Sequence, residues 1–352
     1  MLRAVRGLVA RRHRSLLTTL ALLTIGVGLI AKFYGKNTTV KKFEWTSSAS
    51  ASKQYPVELI RGDLRLADGS AYYVPDKRAV HHGWGEIGAT HFVGDDRKAM
   101  PTSLDALWFS YAEDRFYALQ ADLPADTMLA MFEEGIRGPR RGETLDYDRI
   151  VFGFGPEGVA AIWLSGAGNR VWLAGMLGEP VEADWRQVVD NPEITRREFI
   201  DTVLTEALGA EGAKRRQEDR YAQGTWPRRQ QRHDWAIEVS GAKEILTLRL
   251  ESLDGEALHF SPSLTSVVDR SDYGVPRLLA VQWTGLAEQR RSATITFDEE
   301  EALAAFEKLA LQEGPLVLTV EISETSNSVV TELHAKHYTY AFESVKVDLF
   351  SR

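Results

Sequence analysis

The run Gly153-Phe154-Gly155-Pro156-Glu157-Gly158 spells G-x-G-x-x-G. That spacing can bring backbone N–H groups to a pyrophosphate when the motif opens a helix. Here it is followed by Val159-Ala160-Ala161-Ile162-Trp163-Leu164 and then Ser165-Gly166, an aliphatic run with the length and boundaries of a strand. Pro156-Glu157-Gly158 is therefore predicted to be a hairpin turn, and no dinucleotide site is expected. The eight histidines have no metal-ligating spacing. His81 and His82 are adjacent and point apart on a strand, and His334 and His337, three apart, face opposite sides. A composite of His91 with Asp95 or Asp96 is the one metal arrangement left to consider.

The chain has no cysteine, which excludes disulfides, thiol nucleophiles and cysteine-bound zinc. No G-x-S-x-G elbow is present, so a hydrolase triad has no support. Glu113 with Arg115, and Glu288 with Arg290, are two apart and share a strand face; each is predicted to be a structural charge pair rather than a general acid. What remains is the loop 81–100, which has four glycines and few aliphatic residues. Its Trp84, Glu86, His91, Asp95 and Asp96 are the candidate partner contacts, because an indole on a glycine-rich loop offers a large amphipathic contact surface. No catalytic, cofactor-binding or metal-ligating residue is assigned, and no cofactor is expected.

The elements that must position this loop are mostly strands. Val57–Ile60 and Leu64–Leu66 lead into the turn Asp68-Gly69, and Ala71–Val74 follows as in a hairpin. Further strands are predicted at 107–109, 116–119, 147–172, 237–239, 245–250, 316–322 and 338–349, the last with a register shift near Ser344. Pro124 opens a short helix. Thr195-x-x-Glu198 is a capping box for a helix whose stripe includes Phe199, Ile200, Val203 and Leu204, and Asp298 with Glu301 caps another at 299–311. Residues 101–133 match 276–308 at an offset of 175, with eight of 33 positions identical, among them Pro101/Pro276, Leu104/Leu279, Trp108/Trp283 and Glu113/Glu288; ordinary composition gives roughly two. Trp45 precedes Asp68-Gly69 as Trp235 precedes Asp254-Gly255. The expected fold class is α+β: an N-terminal transmembrane helix followed by two duplicated β-rich units of antiparallel sheets, each with a short helix.

Charge divides the chain in the same way. Of 42 Lys+Arg and 50 Asp+Glu in 352 residues, nine basic residues and no acid fall in 1–42, which leaves the rest at −17. An acidic body makes nucleic acid an unsuitable partner. Ser15–Ala31 is uncharged and, with the residues up to 34, spans a bilayer as a signal anchor, since Lys-Phe-Tyr after Ala31 is a poor cleavage site. The expected organisation is a cytoplasmic basic tail (1–14), an anchor (15–34), a stalk (35–54), a first β-rich unit (55–210), a basic connector (211–232) and a second unit (233–352). The inner membrane is crossed once, and the body lies in the periplasm. The connector reads as a solvated linker or, more sharply, as a basic stripe that grips the acidic body or anionic lipid.

Several stretches together resemble a bacterial envelope family, domain of unknown function 2931, whose members are commonly lipoproteins. They are Pro101 to Pro124, Tyr147-Asp148 through Trp163-Leu164-x-Gly166, and Tyr221-x-x-Gly224-Thr225-Trp226-Pro227 through Arg232-x-Asp234-Trp235 to Asp254-Gly255-Glu256. The lipobox cysteine usual in such proteins is missing. The resemblance implies no reaction; similar proteins near type VI secretion genes imply an immunity or accessory role toward a secreted effector. The sequence thus favours a non-enzymatic, membrane-tethered binding protein for a protein partner, with a basic effector suited to the acidic body. The alternatives are an envelope enzyme acting on lipid or glycan through Glu86, His91 and Asp95, and a structural scaffold.

Overall fold

Period-two alternation becomes half-buried strand. In Leu316–Ile322, for example, Leu316, Leu318, Val320 and Ile322 are buried, and the residues between them are partly or fully exposed. The computed structural model describes residues 40–351 apart from 78, 89, 91–93, 139–141, 190, 219–223, 261–266, 286–287, 313 and 326. The expected basic tail and membrane anchor, 1–34, lie outside the described residues. Among the described residues no helix is long and apolar enough to cross a membrane.

The first half contains β1 (Thr46–Ser50), β2 (Val57–Leu66), β3 (Ala71–Tyr73), β4 (Pro101–Ser110), β5 (Arg115–Asp122), α1 (Ala125–Glu134), β6 (Arg149–Phe154), β7 (Val159–Gly166), β8 (Asn169–Leu177) and β9 (Glu179–Val181). Helices α2 (Arg196–Glu218) and α3 (Thr225–Arg229) follow. The second half contains β10 (Arg232–Ser240), β11 (Glu244–Ser252), β12 (Ala257–Phe260), β13 (Val267–Gly274), β14 (Pro276–Thr284), β15 (Arg290–Thr296), α4 (Glu299–Ala310), β16 (Leu316–Ile322), β17 (Val329–Ala335), β18 (Tyr338–Ala341) and β19 (Lys346–Ser351). The fold is mostly β-sheet with a few helices, of α+β type.

One pairing order recurs in both halves. The path β9-β5-β4-β2-β3 matches β19-β15-β14-β11-β12, and β6-β7-β8 matches β16-β17-β18. β1 pairs parallel with β6, as β10 does with β16. These parallel pairs correct the expectation of purely antiparallel sheets: the chain builds the other sheet between the two strands and can return in the same direction. Trp45 and Trp235 occupy equal positions, and their indole N–H groups donate to the carbonyls of Lys98 and Tyr273 at 3.3 Å each. Those two acceptors are separated by the same offset as the sequence match.

Each half has its own core between two sheets. In the first, Leu59, Leu104, Trp108, Phe152 and Ile162 pack with Met128 and Phe132 of α1. In the second, Trp235, Leu250, Leu279, Trp283 and Leu318 pack with Leu303 and Phe306 of α4. The halves share a sheet edge to edge, with Arg170 of β8 opposite Ala257 of β12, which gives one nine-stranded sheet. Residues 42–352 form one compact unit.

Four expectations change. Residues 46–50 are not stalk but strand β1, with Ser47, Ser48, Ala49 and Ser50 buried. Their hydroxyls are satisfied inside: Ser47 donates to the Tyr73 carbonyl (2.6 Å), Ser50 donates to the Gly83 carbonyl (2.8 Å), and Ser48 accepts from the Gly88 N–H (2.9 Å). The predicted strand 338–349 is two strands in different sheets, and its register shift is the crossing. The Glu301 carboxylate holds that crossing through the N–H groups of Glu343 (2.7 Å) and Ser344 (2.8 Å), so it does not complete a box with Asp298. Finally, 211–218 continue α2 beyond a break at Gly209, and 225–229 form α3. Arg228 pairs with Glu300 (3.0 Å) and Glu307 (2.9 Å), and Arg229 pairs with Glu299. For these arginines the solvated-linker reading gives way to a basic stripe gripping the acidic body.

Candidate functional site

The hairpin between β11 and β12 turns at Asp254-Gly255. Gly255 has φ +88°, and a Cβ there would stand 2.9 Å from both Trp84 and Trp163, so the turn admits only glycine. Asp254 Oδ1 accepts the Glu256 N–H at 2.9 Å and fixes the turn locally. The turn is driven into the outer face of the first half. The Asp254 carbonyl accepts the indole N–H of Trp84 (3.1 Å) and that of Trp163 (3.2 Å), and the Gly255 carbonyl accepts from Arg170 Nε. Glu256 accepts the Trp172 backbone N–H at 3.1 Å. This cover explains why every residue of β7 is buried.

Arg232 supplies the positive charge. Its guanidinium pairs with Asp254, with Glu256 (3.1 Å) and with Asp272 (3.3 Å), and lies 4.6 Å from the centre of the Trp172 ring. Burial pushes the Asp254 carboxyl above the usual carboxylate range against the pull of Arg232, and pushes Glu256 up to about 7. Burial also draws Arg232 down, but the three carboxylates outweigh it and hold the guanidinium above its ordinary value.

The loop Gly83-Trp84-Gly85-Glu86 closes this junction from outside. Gly85 has φ +76°, and a Cβ there would lie 2.7 Å from Arg170 Nε and 2.8 Å from the Gly255 carbonyl. Trp84 packs edge-on against Trp163 (5.2 Å) and Trp226 (5.0 Å). Glu86 pairs with Arg170 at 3.2 Å; Arg170 is only 7% exposed, and burial draws its guanidinium below its ordinary value, opposed by Glu86. Trp226 sits on α3, whose first N–H groups, Gly224 (2.5 Å) and Trp226 (3.1 Å), donate to Glu157. Glu157 itself stands at φ 56° in the turn between β6 and β7, and its N–H donates to Glu113 (3.1 Å). The G-x-G-x-x-G run is thus a strand–turn–strand that caps a short helix.

A pocket of about 280 Å³ opens beside this junction. Trp84 and Trp226 form its aromatic wall, and Lys53, Arg170, Arg229 and Arg277 line it against only Glu86 and Glu299. Among the described residues the Lys53 ammonium, which is exposed, makes no ion pair. Arg229 is held by Glu299 and stacks at 4.6 Å on Trp226, and Arg277 pairs with Glu251. The lining is net positive within a body of net negative charge.

Of the predicted contacts, Trp84 and Glu86 meet here. Asp95 and Asp96 line a separate cavity of about 310 Å³ with Trp45, Tyr72 and Lys98. There the Lys98 ammonium donates to the Asp95 carbonyl (3.0 Å) and stands 5.4 and 5.0 Å from the ring centres of Trp45 and Tyr72. His91 lies outside the described residues. The loop 81–100 is therefore not one site, because the strand pair 43–44 with 97–98 draws its end away. His81 and His82 do not point apart; their rings stack at 5.7 Å, since the chain bends at His82. Glu113 and Glu288 sit in turns rather than on strands: Glu113 accepts from the Tyr117 hydroxyl (2.8 Å), and Glu288 pairs with Lys243. Among the described residues no group of three His, Asp or Glu side chains gathers to hold a metal.

Sequence reasoning did not single out Arg170, Lys53 or Arg277. Arg232, Trp226 and Asp254-Gly255-Glu256 were visible as motif positions, and the available signal was their convergence: an acidic turn and an isolated arginine in otherwise apolar strands. No curated protein and no solved structure matches the chain. A family model described as "Protein of unknown function (DUF2931)" matches residues 32–228, more than half of the chain, and ends within α3 beside the pocket. The chain belongs to this family of proteins of unknown function.

Proposed function

We propose that the chain is a non-catalytic binding protein that holds a protein partner at the junction pocket. The observation that supports this most is Trp84: its N–H is fixed on Asp254, while its ring, half-buried, lines a preformed concavity with a charged rim. A rigid aromatic anchor at the centre of such a concavity is the usual architecture of a binding hot spot. The carboxylates of the junction are engaged in structure, with Asp254 and Glu256 on Arg232 and Glu157 on α3. An envelope enzyme using Glu86 and Asp95 together is disfavoured, since the two line different pockets.

The biological setting follows the sequence. Residues 15–34 anchor the chain in the inner membrane and the body faces the periplasm, where its −17 charge steers a basic secreted effector that the chain neutralises or assists. The recurrent pairing order supports an origin by duplication, with one copy running from β1 to β9 and the other from β10 to β19.

Site-specific photo-crosslinking in the producing cells tests the reading. A crosslinking residue at Gln54, on the pocket lining, should give a discrete protein adduct, and one at Leu311, 86% exposed on the second half, should not. Absence of an adduct from the pocket, or equal adducts from both positions, overturns it.

A further inference from the structure

Arg170 is a buried cation whose partners are unequal. One is the Gly255 carbonyl, which is fixed by the turn; the other is Glu86, whose side chain is 47% exposed on the outer loop. A guanidinium taken out of water needs charge-assisted partners to offset its desolvation. Here the compensating carboxylate is the more exposed member of the pair, and both residues line the pocket. The same pocket is lined by the exposed Lys53, whose ammonium makes no ion pair among the described residues, and by the half-exposed Arg277. Arg277 is not the sole partner of Glu251, which also accepts Arg249 at 2.7 Å. An entering carboxylate would meet Lys53 and Arg277 first, then Arg170, with the Trp84 ring against its aliphatic stem.

We propose that the junction pocket is a carboxylate-binding site in which Glu86 holds the place of an acidic side chain supplied by the partner. This rests on the reading of the pocket as the partner's point of contact, and it adds the chemistry of the group that enters. The exchange is a displacement between ion pairs: the incoming carboxylate takes the place of Glu86 on Arg170, and Glu86, already half in water, moves fully into it. A basic partner carrying one acidic residue at the centre of its contact face matches the charge pattern, a positive pocket in a negative body.

The test uses the full-length chain and two peptides, acetyl-Gly-Glu-Gly-amide and acetyl-Gly-Gln-Gly-amide, read by tryptophan emission, with Trp84→Phe as the control for the reporter. The Glu peptide should bind and the Gln peptide should not. Glu86→Gln should tighten the Glu peptide about tenfold, the size expected on removing a competing charge-assisted bond. Lys53→Glu with Arg277→Gln should abolish binding, and because Glu251 keeps Arg249 as its partner the melting temperature should stay in place. Equal binding of the two peptides, or no change in affinity with Glu86→Gln, overturns the proposal. Tighter binding of inorganic phosphate than of the Glu peptide also overturns it, in favour of a phosphate-bearing ligand. An adduct from position 54 without Glu-peptide binding leaves the partner reading standing and removes the carboxylate; Glu-dependent peptide binding without an adduct does the reverse.

Discussion

The hairpin turn Asp68-Gly69 of the first half and Asp254-Gly255 of the second are built alike and behave as opposites. In each the aspartate accepts the backbone N–H two residues on, from Ser70 at 3.1 Å or Glu256 at 2.9 Å. In each a cation three residues before the equivalent tryptophan pairs with it: Lys42 at 2.7 Å in the first half, Arg232 in the second. The surroundings differ. The Lys42 and Asp68 side chains are 43% and 18% exposed; those of Arg232 and Asp254 are 10% and 0%. Hydrogen bonds from Lys42 and Ser70 lower Asp68 to about 2, whereas burial raises Asp254. The same contacts therefore shift the carboxyl in opposite directions, because desolvation outweighs the ion pair only where the turn is enclosed by the other half.

The largest consequence concerns the cations. Arg232→Met leaves Asp254 and Glu256 buried without their counter-charge and should cost about 3–5 kcal/mol of stability. Lys42→Met, at a solvated pair, should leave the urea midpoint nearly unchanged. Equal shifts in the two variants would break the comparison. The complementary experiment removes all the charge: Arg232→Met with Asp254→Asn and Glu256→Gln should recover most of the single-variant loss, because the penalty belongs to uncompensated charge rather than to lost attraction.

The pH dependence sharpens the contrast further, because its sign differs between the turns. Glu256 has its folded pKa raised from an ordinary 4.5 to about 7, so its contribution is fully present below 4.5 and is lost as pH rises through about 7. Asp68 has its pKa lowered from 3.8 to about 2, so its contribution is present above 3.8 and is lost as pH falls through about 2. Unfolding free energies from urea denaturation between pH 4 and 8 should decline in the parent protein by at most about 1.4 kcal/mol per pH unit for each such group. Glu256→Gln should flatten part of that decline, while Asp68→Asn leaves it and changes only the acid limb. Glu58, buried beside Tyr111 and also raised to about 7, contributes with the same sign, so the readout is the difference between parent and variant. A parent-minus-variant stability for Glu256→Gln that rises with pH, instead of falling through about 7, would reverse the assignment.

What the sequence revealed follows from the range of the interaction involved. Local signals were legible: period-two strands, the reciprocal Thr195–Glu198 box (3.0 and 3.3 Å) and the Asp298 cap. So was the repeat at 101–133, because Trp108 and Trp283 fill equivalent core positions and resist exchange. The buried strand β1 was not, since Thr-Ser-Ser-Ala-Ser has the composition of a linker and its burial depends on acceptors up to 33 residues away. The sheet change after Ala341 was hidden for the same reason: alternation reports a face, not which sheet owns it. At the candidate site, Trp84 stood out by composition, but Arg170 is an unremarkable strand arginine until the Gly255 carbonyl, 85 residues later, closes on it.

The smallest expected effect lies in the paired helices. Both α1 and α4 follow the second strand of the matched hairpin, but their starts differ. Pro124 before α1 makes no side-chain cap, and Asp298 before α4 accepts the Glu301 N–H at 3.0 Å. Asp298→Ala should therefore cost about 1 kcal/mol in urea denaturation, the usual value of an N-cap. Glu301→Gln should act separately, because that carboxylate is bound to the crossing at Glu343 and Ser344 rather than to Asp298. The two substitutions should consequently add within about 0.5 kcal/mol. A larger coupling would mean that cap and crossing act as one unit, and that the second half stabilises its sheet change through a device the first half, where β8 leads into β9 across Gly178 alone, does not need.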